Sequence, residues 1–200
     1  MNLLTGPTYD LPHDLHPDPK RITPEEIATH ILQRDPVAIF QGKSEAGPRA
    51  LGNRSILYDP RDPNGKDKVN RIKRRESFRP FAGSILLPYV HDWFDMAGLM
   101  ESPFMMYAVD VLPEMAEFIP AILHVDNTCR IQTVTSRQNH NYYGLIDAFN
   151  QITDVPIVFN TSFNLAGQPL VETPEDAFKT FEGSELDHLY FPEVHKLFSK

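Results

Sequence analysis

The sequence contains very little cysteine and no long apolar run. Cys129 is the only cysteine of the 200 residues, which excludes a disulfide framework and a zinc site built on cysteine pairs, and fits a reducing compartment. No stretch approaches the ~18 apolar residues of a membrane span. The first residues lack a basic segment followed by an apolar one, so we expect no secretory signal. These absences predict one cytoplasmic domain, long enough to bury its own core.

Positive charge is also scarce, but it is concentrated in one segment. The chain has 27 acidic and 19 basic residues and a net charge of −8. Between Lys43 and Phe81 lie eleven basic and five acidic residues, a net +6, and the other eight basic and 22 acidic residues give −14. This distribution favours a local anion site and argues against a nucleic-acid partner, which usually needs a basic domain. Acids interleave the bases at 59–71, which is more typical of a solvated turn and helix.

The apolar periodicity predicts strands interleaved with helices, and therefore an α/β or α+β fold. Helices are expected at 24–34, 88–97 and 141–153 and after Thr173, two of them opened by a capping box or a Thr-Pro start. Strands are expected at 37–41, 54–58, 82–87, 104–111, 130–135 and 155–160. Residues 1–21 are rich in proline and aspartate and are predicted to form an extended arm. Its His13 and His16 lack a third ligand, and we predict no metal site.

A glycine-rich loop, GKSEAGPRALGNRS at 42–55, follows the strand predicted at 37–41. Its backbone N–H groups and the guanidinium groups of Arg49 and Arg54 are suited to phosphate oxygens. The order of its residues is not that of a Walker A loop. From the residues alone, the loop is either a phosphate site or a tight structural connection.

A second basic cluster follows at 73–79, KRRESFR. If this segment is extended, Lys73 and Arg75 project to one side, and Arg79 joins them. Three cations on one side repel each other unless an anion lies between them. Phe78 and Phe81 are expected to anchor the segment in the core.

Polar residues also interrupt the strand expected at 130–135. Alternation places Arg130 and Gln132 on one face, toward a cleft. His124 and Asp126, just before this strand, are either a general base with its orienter or a structural pair. We favour the structural alternative.

The polar cluster NTSFN follows the apolar run at 155–159 directly. Open α/β sheets place ligand-binding groups at such strand ends, which makes Asn160, Ser162 and Asn164 candidates. Ser162 has neither a nucleophile-elbow motif nor an evident base, so we expect it to donate a hydrogen bond and not to attack.

Four segments together resemble the C-terminal domain of the NodU/CmcH-type O-carbamoyltransferases, from about residue 22 to residue 191. They are GKSEAGPRALGNRSIL, KRRESFRPFA, HVDNTCRIQTV and NTSFNLAGQPLVETPEDAFKTF, in the same order along the chain. The resemblance implies a YrdC/Sua5-like α/β (α+β) fold over residues 22–200, in which flanking helices and a twisted mixed sheet surround a basic cavity.

The resemblance also implies adenylate chemistry. In the family, this domain uses ATP and carbamoyl phosphate to make carbamoyl adenylate, and ATP use suggests Mg²⁺. A preceding actin-like domain then transfers the carbamoyl group to a hydroxyl of the acceptor. These 200 residues contain no such domain, so we expect either a piece of a longer enzyme or a split enzyme whose partner subunit supplies the transfer.

The family's Lys-x-Arg pair matches Lys73 and Arg75, the implied catalytic residues, and its Ser-x-Asn pair matches Ser162 and Asn164. Further substrate or nucleotide contacts are expected from Arg49, Arg54, Arg79, Arg130 and Asn160. Two other classes stay open: a module that binds nucleotide or RNA without turnover, and a structural subunit that stabilises a partner.

Overall fold

The structure, a computed structural model, describes residues 4–11 and 19–200. Its strands are β1 Lys20–Arg21, β2 Val37–Phe40, β3 Arg54–Tyr58, β4 Ala82–Leu86, β5 Phe94–Asp95, β6 Ala108–Val111, β7 Thr128–Val134, β8 Ile157–Ser162, β9 His188–Phe191 and β10 Lys196–Ser199. Its helices are α1 Pro24–Leu32, α2 Gly65–Ile72, α3 Val90–Trp93, α4 His140–Thr153 and α5 Pro174–Glu182. Among the described residues, no helix is both long and apolar enough to cross a membrane.

The strands form one mixed sheet in the order β1-β10-β9-β2-β3-β8-β4-β7-β6-β5. The pairs β2–β9 and β4–β7 are parallel, and the other neighbours are antiparallel. A mixed sheet with flanking helices is the α/β architecture that the sequence predicted.

Helices cover both faces of the sheet at β2, which is fully buried. Val37 and Ile39 belong to the larger apolar cluster, with residues of α1 and α4, whereas Ala38 and Phe40 belong to a second cluster with α5. Successive side chains of a strand point to opposite faces, so this alternation separates the two cores. In β7, Cys129 and Ile131 belong to the larger cluster. The intervening side chains of β7 therefore face the opposite side.

The capped helices are the elements that the sequence predicted best. The Thr23 side chain accepts a hydrogen bond from the Glu26 amide at 3.3 Å, and the Glu26 carboxylate accepts one from the Thr23 amide at 2.9 Å. Thr173 and Asp176 form the same box at α5. Two predictions were too long. The strand at 104–111 is confined to β6, and the helix at 88–97 contains a 3₁₀ turn that ends at Tyr89 and the single turn of α3, before β5. Strands β1, β5, β9 and β10 were not predicted as strands.

Candidate active site

A left-handed turn at the end of α2 positions the Lys-x-Arg pair. Lys73 caps the helix, Arg74 has φ of 55°, and the Arg75 amide donates to the Asn70 carbonyl at 3.1 Å. This six-to-one hydrogen bond is the Schellman pattern, in which the left-handed residue reverses the chain. The extended conformation considered for this segment therefore does not occur. Lys73 and Arg75 nevertheless line the same cavity.

The buried side chain of Asn70 stabilises this turn. This residue was not identified from the sequence. Its side chain is buried; the amide donates to the carbonyls of Ser77 and Arg79 at 3.1 and 3.2 Å. Its Oδ1 accepts from Arg75 Nε at 2.7 Å. Asn70 therefore fixes the Arg75 guanidinium as well as the backbone around it. The only sequence signal was an amide residue in the last turn of a charged helix.

Lys73 joins the turn to the end of β8. Its Nζ lies 2.5 and 3.2 Å from the carbonyl and hydroxyl oxygens of Ser162, and 2.9 and 3.0 Å from the carbonyl and Oδ1 of Asn164. Ser162 Oγ donates to Asn164 Oδ1 at 2.7 Å. An ammonium group has three protons for these four acceptors. The structure thus brings the Lys-x-Arg and Ser-x-Asn pairs together, as the resemblance implied.

Burial and neighbouring cations perturb the basic groups of this turn. Burial, and then the charge of Arg75, lowers the pKa of Lys73 to about 7. Burial, followed by the charges of Arg79 and Arg130, lowers the pKa of Arg75 to about 10. Arg75 therefore keeps its charge at neutral pH, whereas Lys73 is close to its titration midpoint. An anion beside them would favour the charged form of both groups.

Arg49 and Arg130 extend this cationic group. Burial, and then the charge of Arg49, lowers the pKa of Arg130. Among the described residues, the Nε atoms of Arg49 and Arg130, like that of Arg54, are buried without a hydrogen-bond partner. Within residues 4–11 and 19–200, no salt bridge joins a carboxylate to Arg49, Arg75 or Arg130, whereas Arg79 pairs with Glu76 at 2.8 Å. Clustered cations with perturbed pKa values and few counter-charges are typical of an anion site.

Two cavities lie near this group, and neither is lined by Arg49, Arg130 or Asn160. The first, of about 630 Å³, is lined by Lys73, Arg74, Arg75, Glu76, Arg79, Ser162, Asn164, Leu165, Ala166 and Gly167. We call it the cationic cavity. The second, of about 790 Å³, is lined by Leu51, Phe104, Gln132, Arg137 and Asn139 among others. Arg130 and Gln132 project from the same face of β7, because they are two residues apart.

A buried amide network connects three neighbouring strands beside the second cavity. Asn160 Nδ2 donates to Ser84 Oγ at 2.9 Å and to Gln132 Oε1 at 3.2 Å, and Ser84 Oγ donates to the same Gln132 oxygen at 2.8 Å. Gln132 Nε2 donates to the Leu51 carbonyl at 2.9 Å. Asn160 Oδ1 is buried and has no hydrogen-bond partner among the described residues.

The structure does not bring Arg54 to the cationic cavity. Its Nη1 donates to the carbonyls of Gln41 and Asn53 at 2.6 and 3.0 Å, and its Nη2 to those of Gly42 and Glu172, both at 3.2 Å. The side chain is fully buried, with its guanidinium 3.5 Å from the centre of the Phe40 ring. Through these contacts, Arg54 stabilises the glycine-rich loop. We therefore do not assign Arg54 to the proposed site.

The Glu45 carboxylate accepts hydrogen bonds from backbone N–H groups that we expected the loop to offer to phosphate. Its Oε1 accepts from the backbone N–H groups of Leu51, Asn53 and Arg54 at 2.7, 2.8 and 3.3 Å. Glu45 is buried, and burial raises its pKa despite these bonds. The end of the loop is therefore a tight connection, and Arg49 is its remaining candidate for phosphate.

Two other expectations concerned residues around the cavity. Phe81 is buried, but Phe78 is 75% exposed, so its prediction as a core anchor was wrong. His124 has Nε2 3.0 Å from the Phe81 carbonyl and Nδ1 3.0 Å from Thr128 Oγ, which fits the structural role. His13 and His16 lie outside the described residues.

Comparisons with known sequences agree on one family. The model described as carbamoyltransferase C-terminus matches residues 28–196. An uncharacterised protein of Synechocystis sp. is 40% identical over 93% of this chain and 33% of its own length. Nodulation protein NolO of Bradyrhizobium diazoefficiens is 46% identical over 74% of this chain and 28% of its own length. Nodulation protein U of Rhizobium tropici is 35% identical over 88% and 29%. The chain thus spans about a third of the length of these relatives.

Solved structures share the fold. HypF from T. kodakarensis superposes with a TM-score of 0.56 at 16% identity, over 84% of this chain and 22% of that chain. Full-length HypF in a phosphate- and nucleotide-bound form gives 0.54 at 16% identity, over the same shares. A variant of P. abyssi Sua5 gives 0.52 at 12% identity, over 84% and 52%. At these identities the likeness shows the fold alone.

Proposed function

The chain belongs to the family of carbamoyltransferase C-terminal domains, and we propose that its cationic cavity uses ATP and carbamoyl phosphate to make carbamoyl adenylate. One observation carries the proposal: a buried lysine that bridges Ser162 and Asn164 lies beside Arg75, which has no carboxylate partner among the described residues. Full-length HypF, which shares this fold over 22% of its chain, is known in a phosphate- and nucleotide-bound form, in keeping with the proposal.

The reaction has two steps. Water cleaves carbamoyl phosphate to carbamate and inorganic phosphate. A carbamate oxygen then attacks the α-phosphorus of ATP; the new O–P bond forms as the bond to pyrophosphate breaks, and carbamoyl adenylate remains. No residue becomes covalently attached, so the protein acts by positioning and by stabilising charge.

Lys73 and Arg75 supply the charge stabilisation. Negative charge accumulates on the phosphate oxygens in the transition state, and two fixed cations beside them stabilise that state more than the ground state. Ser162 and Asn164 hold the Lys73 ammonium group in place. One of its four present acceptors can give way to a phosphate oxygen, because it has only three protons to donate.

The surrounding residues bind the other anionic groups. Arg49 and Arg130 have buried, unpartnered Nε donors, and we assign them to carbamoyl phosphate or to the polyphosphate end of ATP. Arg79 lines the cationic cavity, which Arg49 and Arg130 do not line. Asn160 offers its unpartnered Oδ1 to a donor of the nucleotide. Mg²⁺ would enter on the phosphates of ATP, since it commonly binds through phosphate oxygens and water.

Transfer to an acceptor hydroxyl requires a further module. We propose that an actin-like domain or subunit takes the carbamoyl adenylate, in keeping with relatives about three times as long as the matched region. The identity of the acceptor would belong to that module.

The test is pyrophosphate release by the purified chain with ATP and Mg²⁺, with and without carbamoyl phosphate. Release that requires carbamoyl phosphate, and disappears in Lys73→Ala, is the expected result. Arg71→Ala is the matched control, because Arg71 is exposed and pairs with Glu185. If the wild-type chain binds no nucleotide, the proposal is wrong.

A binding module without turnover is the second candidate, and the net +6 of the segment between Lys43 and Phe81 permits it. It predicts nucleotide or RNA binding that weakens steeply with salt, in the absence of any product. Carbamoyl-phosphate-dependent pyrophosphate release excludes it.

A further inference from the structure

Three titratable side chains meet at a place that the proposed reaction does not use. His30 lies in the last turn of α1, Asp35 in the connection to β2, and His188 at the start of β9. The chain reverses between the first two, since the Asp35 amide donates to the His30 carbonyl at 3.0 Å. β9 is paired with β2 so that His188 lies opposite Val37. Two distant segments of sequence, residues 30–35 and the start of β9, therefore converge there.

One carboxylate oxygen lies near a nitrogen of each of two imidazole rings, whose centres are 4.1 Å apart. Asp35 Oδ2 is 3.3 Å from His30 Nδ1 and 3.4 Å from His188 Nε2, and the three ligand atoms lie within 4.8 Å of one another. Both distances are longer than the ~2.9 Å of an ordinary N–H···O hydrogen bond. Ligand atoms ~2.0–2.1 Å from a tetrahedral zinc ion lie ~3.3 Å apart. The spacing thus matches two edges of a zinc tetrahedron.

The surroundings orient the ligands and admit an ion. His188 Nδ1 is 2.8 Å from Ser199 Oγ on β10, which directs Nε2 toward the carboxylate, as the outer partners of metal-bound histidines do. The side chains of His30, Asp35 and His188 are 26%, 32% and 10% exposed. The group is therefore partly open to solvent, which leaves room for a water as fourth ligand.

We propose that His30, Asp35 and His188 bind one divalent transition-metal ion, Zn²⁺ in preference to Mg²⁺, with water as the fourth ligand. Two imidazoles and one carboxylate suit zinc, whereas Mg²⁺ prefers an all-oxygen octahedron. The ion links the end of α1 and the connection to β2 with the start of β9. Its role is structural, because it touches none of the residues that line the cationic cavity.

The experiment titrates the full 200-residue chain, freed of metal with a chelator, with Zn²⁺ by calorimetry. We expect one saturable equivalent and a higher melting temperature. Asp35→Asn and His188→Gln should each weaken binding at least tenfold. His91→Gln, an exposed histidine of α3, and the double variant His13→Gln/His16→Gln should bind like wild type.

Cobalt provides a readout that does not depend on the variants folding. Co²⁺ bound to the wild-type chain should give the intense visible absorption of a tetrahedral centre, and Zn²⁺ should abolish it. The proposal is overturned if the wild-type chain shows no saturable binding or no such band. It is equally overturned if folded Asp35→Asn and His188→Gln bind as wild type, or if only the His13/His16 variant loses the ion. Pyrophosphate release, with or without Zn²⁺, tests the proposed reaction separately.

Discussion

Arg54 and Arg75 have the same side chain and belong to the same basic stretch of sequence, yet their surroundings are opposite. Both terminal nitrogens of Arg54 donate to backbone carbonyls of the chain's own loops. Among the described residues, Arg75 bonds only through Nε, to Asn70, and its guanidinium carbon lies 4.4 Å from the centre of the Phe81 ring. The two arginines differ in their terminal nitrogens. Those of Arg54 are bonded to the chain itself, although its Nε is buried without a partner among the described residues, whereas those of Arg75 are available to an anion.

The largest expected effect is on catalysis through Arg75. Arg75→Met should reduce pyrophosphate release by about 100-fold or more, because loss of one preorganised donor to the transition state has that order of effect. Its midpoint of thermal unfolding should stay close to that of wild type. Activity within threefold of wild type would remove Arg75 from the site, and Arg71→Met serves as the matched control.

Arg54→Met should have the reverse effect, a loss of stability. Four carbonyls lose a buried charged donor, and an unsatisfied buried group costs about 1–3 kcal/mol. Since water and relaxation recover part of this, we expect a drop of about 3–5 kcal/mol in the free energy of unfolding, measured with urea. A drop below about 1 kcal/mol in the free energy of unfolding would mean that Arg54 does not stabilise the loop as inferred above.

Lys73 links the site to pH. Its pKa is about 7 in the folded chain against an ordinary value of 10.5, so between these values the folded state binds fewer protons than the unfolded state. The Lys73 contribution to the free energy of unfolding therefore increases with pH in this interval and is lost as the pH falls toward 7. Urea titrations at pH 7, 8 and 9 should show wild type gaining stability relative to Lys73→Met. A difference that is constant with pH would contradict the buried, perturbed ammonium.

The smallest effect is expected at Phe78, the exposed member of the aromatic pair near the turn. Phe78→Ala should change the free energy of unfolding by no more than about 0.5 kcal/mol, whereas Phe81→Ala should cost about 3–5 kcal/mol. Denaturation of the two variants side by side measures the contrast. Equal losses of unfolding free energy in the two variants would mean that Phe78 is packed in the core.

Local signals explain why the helices and most strands could be predicted from the sequence. Thr23 and Glu26, for example, carry a capping box whose geometry depends on four consecutive residues. β9 was missed because HLYF follows a turn and is as short as a loop; it becomes a strand by pairing with β2 and β10. Such pairing is a tertiary effect that a window of sequence does not contain.

The site was predictable as residue types but not as geometry. The Lys-x-Arg and Ser-x-Asn pairs were identified by resemblance, and the structure brings them together. Three features had no distinctive signal in the sequence: the left-handed conformation of Arg74, the hydrogen bonds of Asn70 within the turn, and the buried carboxylate of Glu45. The metal site proposed above was missed for a similar reason, since His30 and His188 are far apart in sequence.

The most direct test of the account is calorimetric binding of α,β-methylene-ATP, which cannot be cleaved at the α-phosphorus, with Mg²⁺ present. We expect one site on the wild-type chain. Its affinity should fall at least tenfold in Arg75→Met and stay unchanged in Arg71→Met. Equal affinity in all three proteins, or no binding by wild type, would contradict the claim that the cationic cavity holds the nucleotide phosphates.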